Sequence, residues 1–308
     1  MNYVDLHCDT LTESAKSGHD LRCAALQTNL EKLKKSGCAA QCFAIFTQGE
    51  NAARFFEESL NWYGNMLELN ADLAVPVLNS SCLDGDKLGC ILTVENLGFI
   101  GEDLSRLTEL KASGVKMASL VWNFENSLAA PNLIFKDGLP QFERRNDMGL
   151  TKLGREAVER LRELKIIIDI SHLSDGGAEE ILSTSKEPVV ASHSNAAEVC
   201  NVSRNLTDAQ IKKVADSGGV IGVNFCKDFL GPGDTFDCVL RHVKHIINVG
   251  GEDVVALGSD FDGIPAPPGL EDCARMPNLL EYLSKEIPFG ALEKLCFKNF
   301  LRVLKHFD

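Results

Sequence analysis

The sequence predicts an α/β fold, a (β/α)8 barrel of the TIM type, and two observations carry that prediction. Eight short apolar, β-rich runs punctuate the 308 residues, and most are followed by a stretch with helical periodicity. The runs lack the apolar–polar alternation of a half-exposed antiparallel sheet, so they suit parallel strands buried on both faces. A doubly wound open sheet is the alternative, but no run leads into the Gly-x-Gly-x-x-Gly turn of a dinucleotide fold. Barrels of this length commonly form one unit, so residues 1–308 are expected to be a single domain.

Taken in order, the strand-like runs cover residues 2–7, 38–46, 90–95, 116–122, 166–172, 188–193, 220–225 and 254–260. The helical patterns between them cover 51–73, 103–113, 151–164, 207–217, 236–248 and 289–306. Gly114 is placed to cap the second of these, Thr207 is a good N-cap for the fourth, and glycine pairs at 218–219 and 250–251 stop the fourth and fifth. Residues 123–148 are rich in Asn, Pro and charge, with little periodicity. On a barrel they predict an elaborated loop over the catalytic face, and 264–269 a second one.

Composition narrows the function. A formal net charge of −13 argues against nucleic acid and against anionic membrane surfaces, both of which attract Lys and Arg. The eleven cysteines are scattered, odd in number and without a Cys-x-x-Cys pair, which points to a reduced compartment rather than a disulfide framework. No apolar run approaches the roughly 18 residues of a membrane span. Only six residues precede His7, too few for a secretory leader if that residue is used, so a cytoplasmic protein is expected.

The polar residues that interrupt this pattern are not randomly placed. His7 and Asp9 share a face at the end of the first run, Glu95 ends the third, His172 the fifth, His193 the sixth and Asp260 the eighth. A lone His-x-Asp is more often a buried His bonded to an Asp than a ligand pair. Here, however, six such residues fall at the strand ends where barrel active sites are built. Three imidazoles and three carboxylates exceed what one tetrahedral zinc needs and suit two ions about 3.5–4 Å apart. Glu95 has the reach to bridge, with His7 and Asp9 on one ion and His172 and His193 on the other. A hydroxide shared by the ions would be the nucleophile, and Asp260 would take and return its proton. The other four histidines, His19, His242, His245 and His306, read as surface or helix residues.

With these residues in view, the chain resembles the membrane dipeptidase (renal dipeptidase) family of zinc metallopeptidases in the amidohydrolase superfamily. The resemblance runs nearly end to end. It rests on Asp5-Leu-His-Cys-Asp-Thr10, Thr93-Val-Glu95, Gly149-Leu-Thr151, Ile168-Asp-Ile-Ser-His-Leu-Ser174, Val190-Ala-Ser-His-Ser194, Ser203-Arg-Asn205, Gly258-Ser-Asp-Phe-Asp-Gly263 and Asn299-Phe-Leu-Arg-Val303. It implies a metallo-dependent hydrolase barrel with two Zn2+ on His7, Asp9, Glu95, His172 and His193, proton transfer by Asp260, and an arginine, Arg204, that grips the C-terminal carboxylate of a dipeptide. A guanidinium suits that task because it pairs with a carboxylate through two bonds. The resemblance also implies dipeptides, including L-D pairs, as substrates, and a homodimer; another divalent metal is the alternative to zinc.

One departure stands out. The family has a histidine near the end of the fourth strand, credited with stabilising the tetrahedral intermediate, and here Trp122 takes its place, followed by Asn123. An indole N–H donates one hydrogen bond and carries no charge. Trp122 and Asn123 are therefore expected in the substrate pocket, with Trp122 as a wall or weak donor and Asn123 as a compensating donor. A second departure is Asn96-Leu97 after Glu95, where the family often has small residues. Two other functions follow from the same residues: an amidohydrolase for N-acyl amino acids or cyclic amides, and a metal-dependent peptide-binding protein without turnover.

Overall fold

Strand pairing closes the sheet on itself. The computed structural model describes residues 1–144 and 148–308. Its strands are β1 (Tyr3–Cys8), β2 (Cys38–Phe46), β3 (Ala74–Pro76), β4 (Leu88–Glu95), β5 (Met117–Ser119), β6 (Ile134–Lys136), β7 (Leu139–Gln141), β8 (Ile167–Asp169), β9 (Val190–Ala191), β10 (Val220–Val223) and β11 (Val255–Leu257). Eight of them run β2-β1-β11-β10-β9-β8-β5-β4, all parallel, and β4 pairs back onto β2 over seven residue pairs from Ala40↔Gly89 to Phe46↔Glu95. The expected α/β barrel of eight strands is therefore what the chain forms.

Each barrel strand sends at least one side chain into a common interior layer: Val4, Leu6, Ala40, Cys42, Ile91, Met117, Ile167, Val190, Val220 and Ala256. Phe300, Val303 and Leu304 from the C-terminal helix (Asn299–His306), and Phe307 just past it, seal that layer from below. The floor under the site is thus packed hydrocarbon, and the polar residues gather above it. Glycine is required where β9, β10 and β11 converge: a Cβ on Gly222 or Gly258 would lie 2.0 Å or 1.9 Å from the Ser192 carbonyl oxygen. That close backbone approach draws the segments bearing His193 and Asp260 together.

The helices follow their predicted caps. Thr207 and Gln210 form a reciprocal capping box at the start of Asp208–Asp216, and Thr151 accepts the Gly154 N–H at the start of Lys152–Glu163. Three differences have physical causes. The second predicted helix is shorter, Arg106–Ala112, because Asp103 Oδ1 accepts from the Ser105 N–H and Oγ–H and folds 103–105 into a turn. The last predicted helix splits into Phe289–Glu293, a π-turn at Lys294–Lys298 and Asn299–His306. There Asn299 Nδ2 ties the chain to the carbonyls of Glu252 and Val255. The loop expected over 123–148 contains a hairpin, β6–β7, turned at Asp137-Gly138, both at positive φ. Asp-Gly is a dipeptide that favours such a two-residue turn. β3 is a ninth strand on the sheet, three residues long and paired with residues 88–90 of β4, too short to stand out in the sequence.

Candidate active site

The six predicted residues meet at the C-terminal mouth of the barrel. His7 lies within β1 and Asp9 just past it; Glu95 is the last residue of β4. His172 and His193 lie beyond β8 and β9, and Asp260 beyond β11. The sequence extends the fifth and eighth runs to residues 172 and 260, but the strands stop at Asp169 and Leu257. Buried carboxylates end them. Asp169 accepts the N–H groups of Ser171 and Ser192, each at 2.9 Å, and the Ser192 hydroxyl at 2.5 Å. Asp5 does the same for Ser259, at 2.8 Å from its N–H and 2.5 Å from its hydroxyl. Amides that would continue a ladder turn onto side chains instead. The chain then passes through His172 and Asp260 with φ of 68° and 67°, a conformation that is uncommon for residues with a Cβ and that concentrates at functional sites.

Glu95 sits at the centre. Its Oε2 is 3.4 Å from His7 Nε2, and its Oε1 is 2.9 Å from His172 Nε2 and 3.9 Å from His193 Nε2. His7 Nε2 is in turn 3.5 Å from Asp9 Oδ2 and 3.8 Å from Asp260 Oδ1. All six side chains are buried. Within each of two sets, His7–Glu95–His193 and His7–Asp9–Asp260, the donor atoms all lie within 4.8 Å of one another.

This donor set fits a divalent metal. His7 Nε2 and Asp9 Oδ1 are buried and accept or donate no hydrogen bond. Ser192 donates its only proton to Asp169, so at 2.7 Å from His193 Nδ1 it can only accept, and that nitrogen carries the hydrogen. His172 Nδ1 likewise faces Asn123 Oδ1 at 2.7 Å. Both rings therefore present bare Nε2 lone pairs, only 2.8 Å apart, an arrangement that calls for positive charge. Three imidazole nitrogens with three carboxylates form a borderline-to-hard set suited to zinc.

The electrostatics divide the three imidazoles. Burial lowers the pKa of His172 to about 4, helped by the Arg204 charge, and burial also holds His193 well below its ordinary value. Both rings stay neutral, the form that can bind a metal. Burial opposes a charge on His7, but Glu95 and Asp9 outweigh it and push its pKa well up. Burial also disfavours a charged Glu95, yet the imidazoles of His172 and His7 beside it hold it ionised, well below the usual range. Burial raises Asp260 to about 7, against the pull of His7 and with the push of Asp9 and Glu95. Asn224 Nδ2 donates to its Oδ2 at 2.9 Å and leaves Oδ1 facing the cluster.

A cavity of about 250 Å³ opens beside these groups. Arg204, only 1% exposed, reaches it from the loop after β9. Its Nη2 donates to His172 Nε2 at 3.1 Å, while Nε and Nη1 have no partner among the described residues. Its carbon lies 5.1 Å over the Phe229 ring. Trp122 and Asn123 both line the cavity, and the Asn123 oxygen is taken by His172. His19, His245 and His306 lie away from it, as expected. His242 is on a helix, Thr235–Gly250, but is fully buried, with Nδ1 accepting the Ala196 N–H at 3.1 Å and Nε2 3.2 Å from the Leu230 carbonyl.

Sequence reasoning passed over Asp5, Asp169, Ser192, Asn224 and Gly263. The first two carried a signal: a carboxylate inside an apolar strand run has to be satisfied by something. Gly263 carried none, although a Cβ there would lie 2.1 Å from Asp9 Oδ2 and 2.7 Å from Asp260 Oδ1.

Comparisons with known proteins point to one family. The family model described as membrane dipeptidase (Peptidase family M19) matches residues 1–308. A Klebsiella pneumoniae protein, described as an uncharacterized protein in the pqqA 5' region, is 35% identical over 232 residues, 73% of this chain and 84% of the relative. An uncharacterized dipeptidase of Schizosaccharomyces pombe is 36% identical over 199 residues, which are 63% of this chain and 46% of the relative. Two crystal structures superpose closely. One, a dipeptidase AC described as a family M19 metallo peptidase, has a TM-score of 0.90 at 26% identity, covering 99% of this chain and 98% of its own. The other is a metallo peptidase from Rhodobacter sphaeroides liganded with a phosphinate mimic of the dipeptide L-Ala-D-Ala. Its TM-score is 0.88 at 26% identity, covering 100% and 99%.

Proposed function

The chain belongs to the membrane dipeptidase family, Peptidase family M19, and is a metal-dependent dipeptidase; from that premise we propose that it works with two zinc ions and cleaves dipeptides including L-D pairs. His7, Asp9, Glu95, His172 and His193 hold the ions in this proposal, with Glu95 between them. The observation that carries it is the division of the Glu95 carboxylate, one oxygen toward His7 and the other toward His172 and His193. Bound there, the ions would lower the pKa of a water they share and polarise the substrate carbonyl.

The chain's own residues supply the rest. Arg204 receives the substrate's C-terminal carboxylate on its unpartnered Nε and Nη1. A carboxylate anchored there puts the scissile bond one residue away, which suits a dipeptide rather than a longer chain. Asp260 takes the proton of the attacking water at Oδ1 and returns it to the leaving amine. A pKa near neutrality serves both steps, although the charge of a bound metal would lower it. Trp122 walls the pocket, and Asn123 holds His172 in the tautomer that presents Nε2. The R. sphaeroides complex supports L-D dipeptides as candidates here.

Among the described residues no helix is long and apolar enough to cross a membrane. All eleven cysteines are unpaired, which supports a reducing, cytoplasmic setting as part of the proposal. The test combines metal analysis with a panel of L-L and L-D dipeptides. Two equivalents of zinc per chain and hydrolysis abolished by chelation are expected. One equivalent at full activity refutes the binuclear reading, and N-acylated amino acids cleaved as fast as dipeptides refute the substrate class.

A further inference from the structure

The pocket has two chemically different ends, and the order of strands around the barrel puts them on opposite sides. Arg204 and Phe229 follow β9 and β10. Phe46 ends β2, and Trp122 follows β5. β2, β4 and β5 are neighbours on one arc of the barrel, and β9 and β10 lie across it. Glu95, which ends β4, pairs in register with Phe46. The cluster of imidazoles and carboxylates therefore lies between a cationic end and an aromatic one.

The aromatic end is extensive. The rings of Phe46 and Trp122 meet edge-on at 4.8 Å, and both line the pocket. Trp122 contacts Phe124 at 5.7 Å, and Phe124 stacks on Phe135 of the β6–β7 hairpin at 5.1 Å. Phe124 and Phe135 remain 48% and 39% exposed, so the row runs from the buried cluster out to the rim.

We propose that this row is the subsite for the N-terminal side chain, and that the enzyme selects dipeptides with a large apolar, above all aromatic, N-terminal residue. The proposal rests on the dipeptidase reading above, in which Arg204 holds the C-terminal carboxylate. With that end fixed and the scissile carbonyl over Glu95 and Asp260, the N-terminal side chain points toward Phe46 and Trp122. An aromatic ring there gains area burial and edge or offset contacts with two rings. A charged side chain would lose hydration against the rings, although Glu13 and Lys16 also line the pocket, with Lys16 Nζ 5.9 Å from the Phe46 ring centroid.

The experiment compares kcat/KM of the zinc-loaded enzyme for Phe-Ala, Leu-Ala, Ala-Ala and Glu-Ala, each with an L and a D C-terminal residue. Phe-Ala is expected to exceed Ala-Ala by about tenfold or more, and to exceed Glu-Ala as well. Trp122→Ala should collapse the Phe-to-Ala ratio toward one; Phe46→Leu should reduce it and serves as the second variant if the first fails to fold. Binding gives a readout apart from turnover. In Trp62→Phe, where Trp122 is the remaining tryptophan, a phosphinate analogue of Phe-Ala should change the emission more than that of Ala-Ala. A flat or inverted profile with active enzyme overturns the subsite, as does a ratio unchanged in Trp122→Ala. Failure to cleave any dipeptide overturns the dipeptidase reading instead.

Discussion

Replacing Gly263 by alanine tests the placement of Asp9 and Asp260 with a single methyl group. The residue is exposed, and its backbone lies outside the positive-φ region, so the chain itself tolerates a Cβ. The methyl would nevertheless sit 2.1 Å from Asp9 Oδ2 and 2.7 Å from Asp260 Oδ1. Non-bonded heavy atoms prefer about 3.5 Å, so the Asp9 carboxylate has to retreat by about 1 Å. A zinc–oxygen bond is about 2.0–2.2 Å long, and a shift of that size breaks it. Misplacement by about 1 Å in an active site costs about 100-fold in rate. We expect kcat/KM to fall by about that factor and one of two zinc equivalents to weaken in competition with a chelator. Stability of the metal-free protein in urea should change by less than about 0.5 kcal/mol, as for an ordinary surface substitution. Full activity with unchanged metal affinity would show that Asp9 is not a ligand. Global unfolding of the metal-free variant would show that the contact is structural instead.

Three further outcomes follow. Ser192→Ala removes the acceptor that fixes His193 and should weaken zinc binding about 10–100-fold by competition titration, with the helical circular dichroism retained; wild-type affinity would remove Ser192 from the scheme. Arg204→Met should lower kcat/KM by about 100-fold or more, mostly through KM, without reducing stability in urea, because it removes a buried cation with two unpartnered nitrogens; loss of stability alone would assign Arg204 to the fold. His242 is held neutral with a pKa of about 4 against about 6.5 when unfolded. The unfolded chain therefore binds more protons between those values, and stability present above pH 6.5 is lost as pH falls toward 4. Its steepest slope is about 1.4 kcal/mol per pH unit. Urea melts across that range should show this slope reduced in His242→Gln; an identical pH dependence would refute the assignment.

The sequence determined the barrel and the identity of the polar cluster. Parallel strands buried on both faces have to be apolar runs, and a His or Glu that ends such a run is conspicuous; Glu95, His172, His193 and Asp260 were legible for that reason. The hairpin turned at Asp137-Gly138 was passed over within a stretch read wholly as loop. Only the tertiary structure decided where the eighth strand ends, because the group that stops it is distant: Asp5 meets Ser259 across 254 positions. It alone decided that His242 is buried, that Gly263 faces two carboxylates, and that Glu95 divides its oxygens between two sets of imidazoles. It also decided that Phe46 and Trp122 lie across the mouth from Arg204. Side-chain chemistry is local and can be read residue by residue, whereas distance between side chains is set by the pairing of β2 with β4 that closes the barrel.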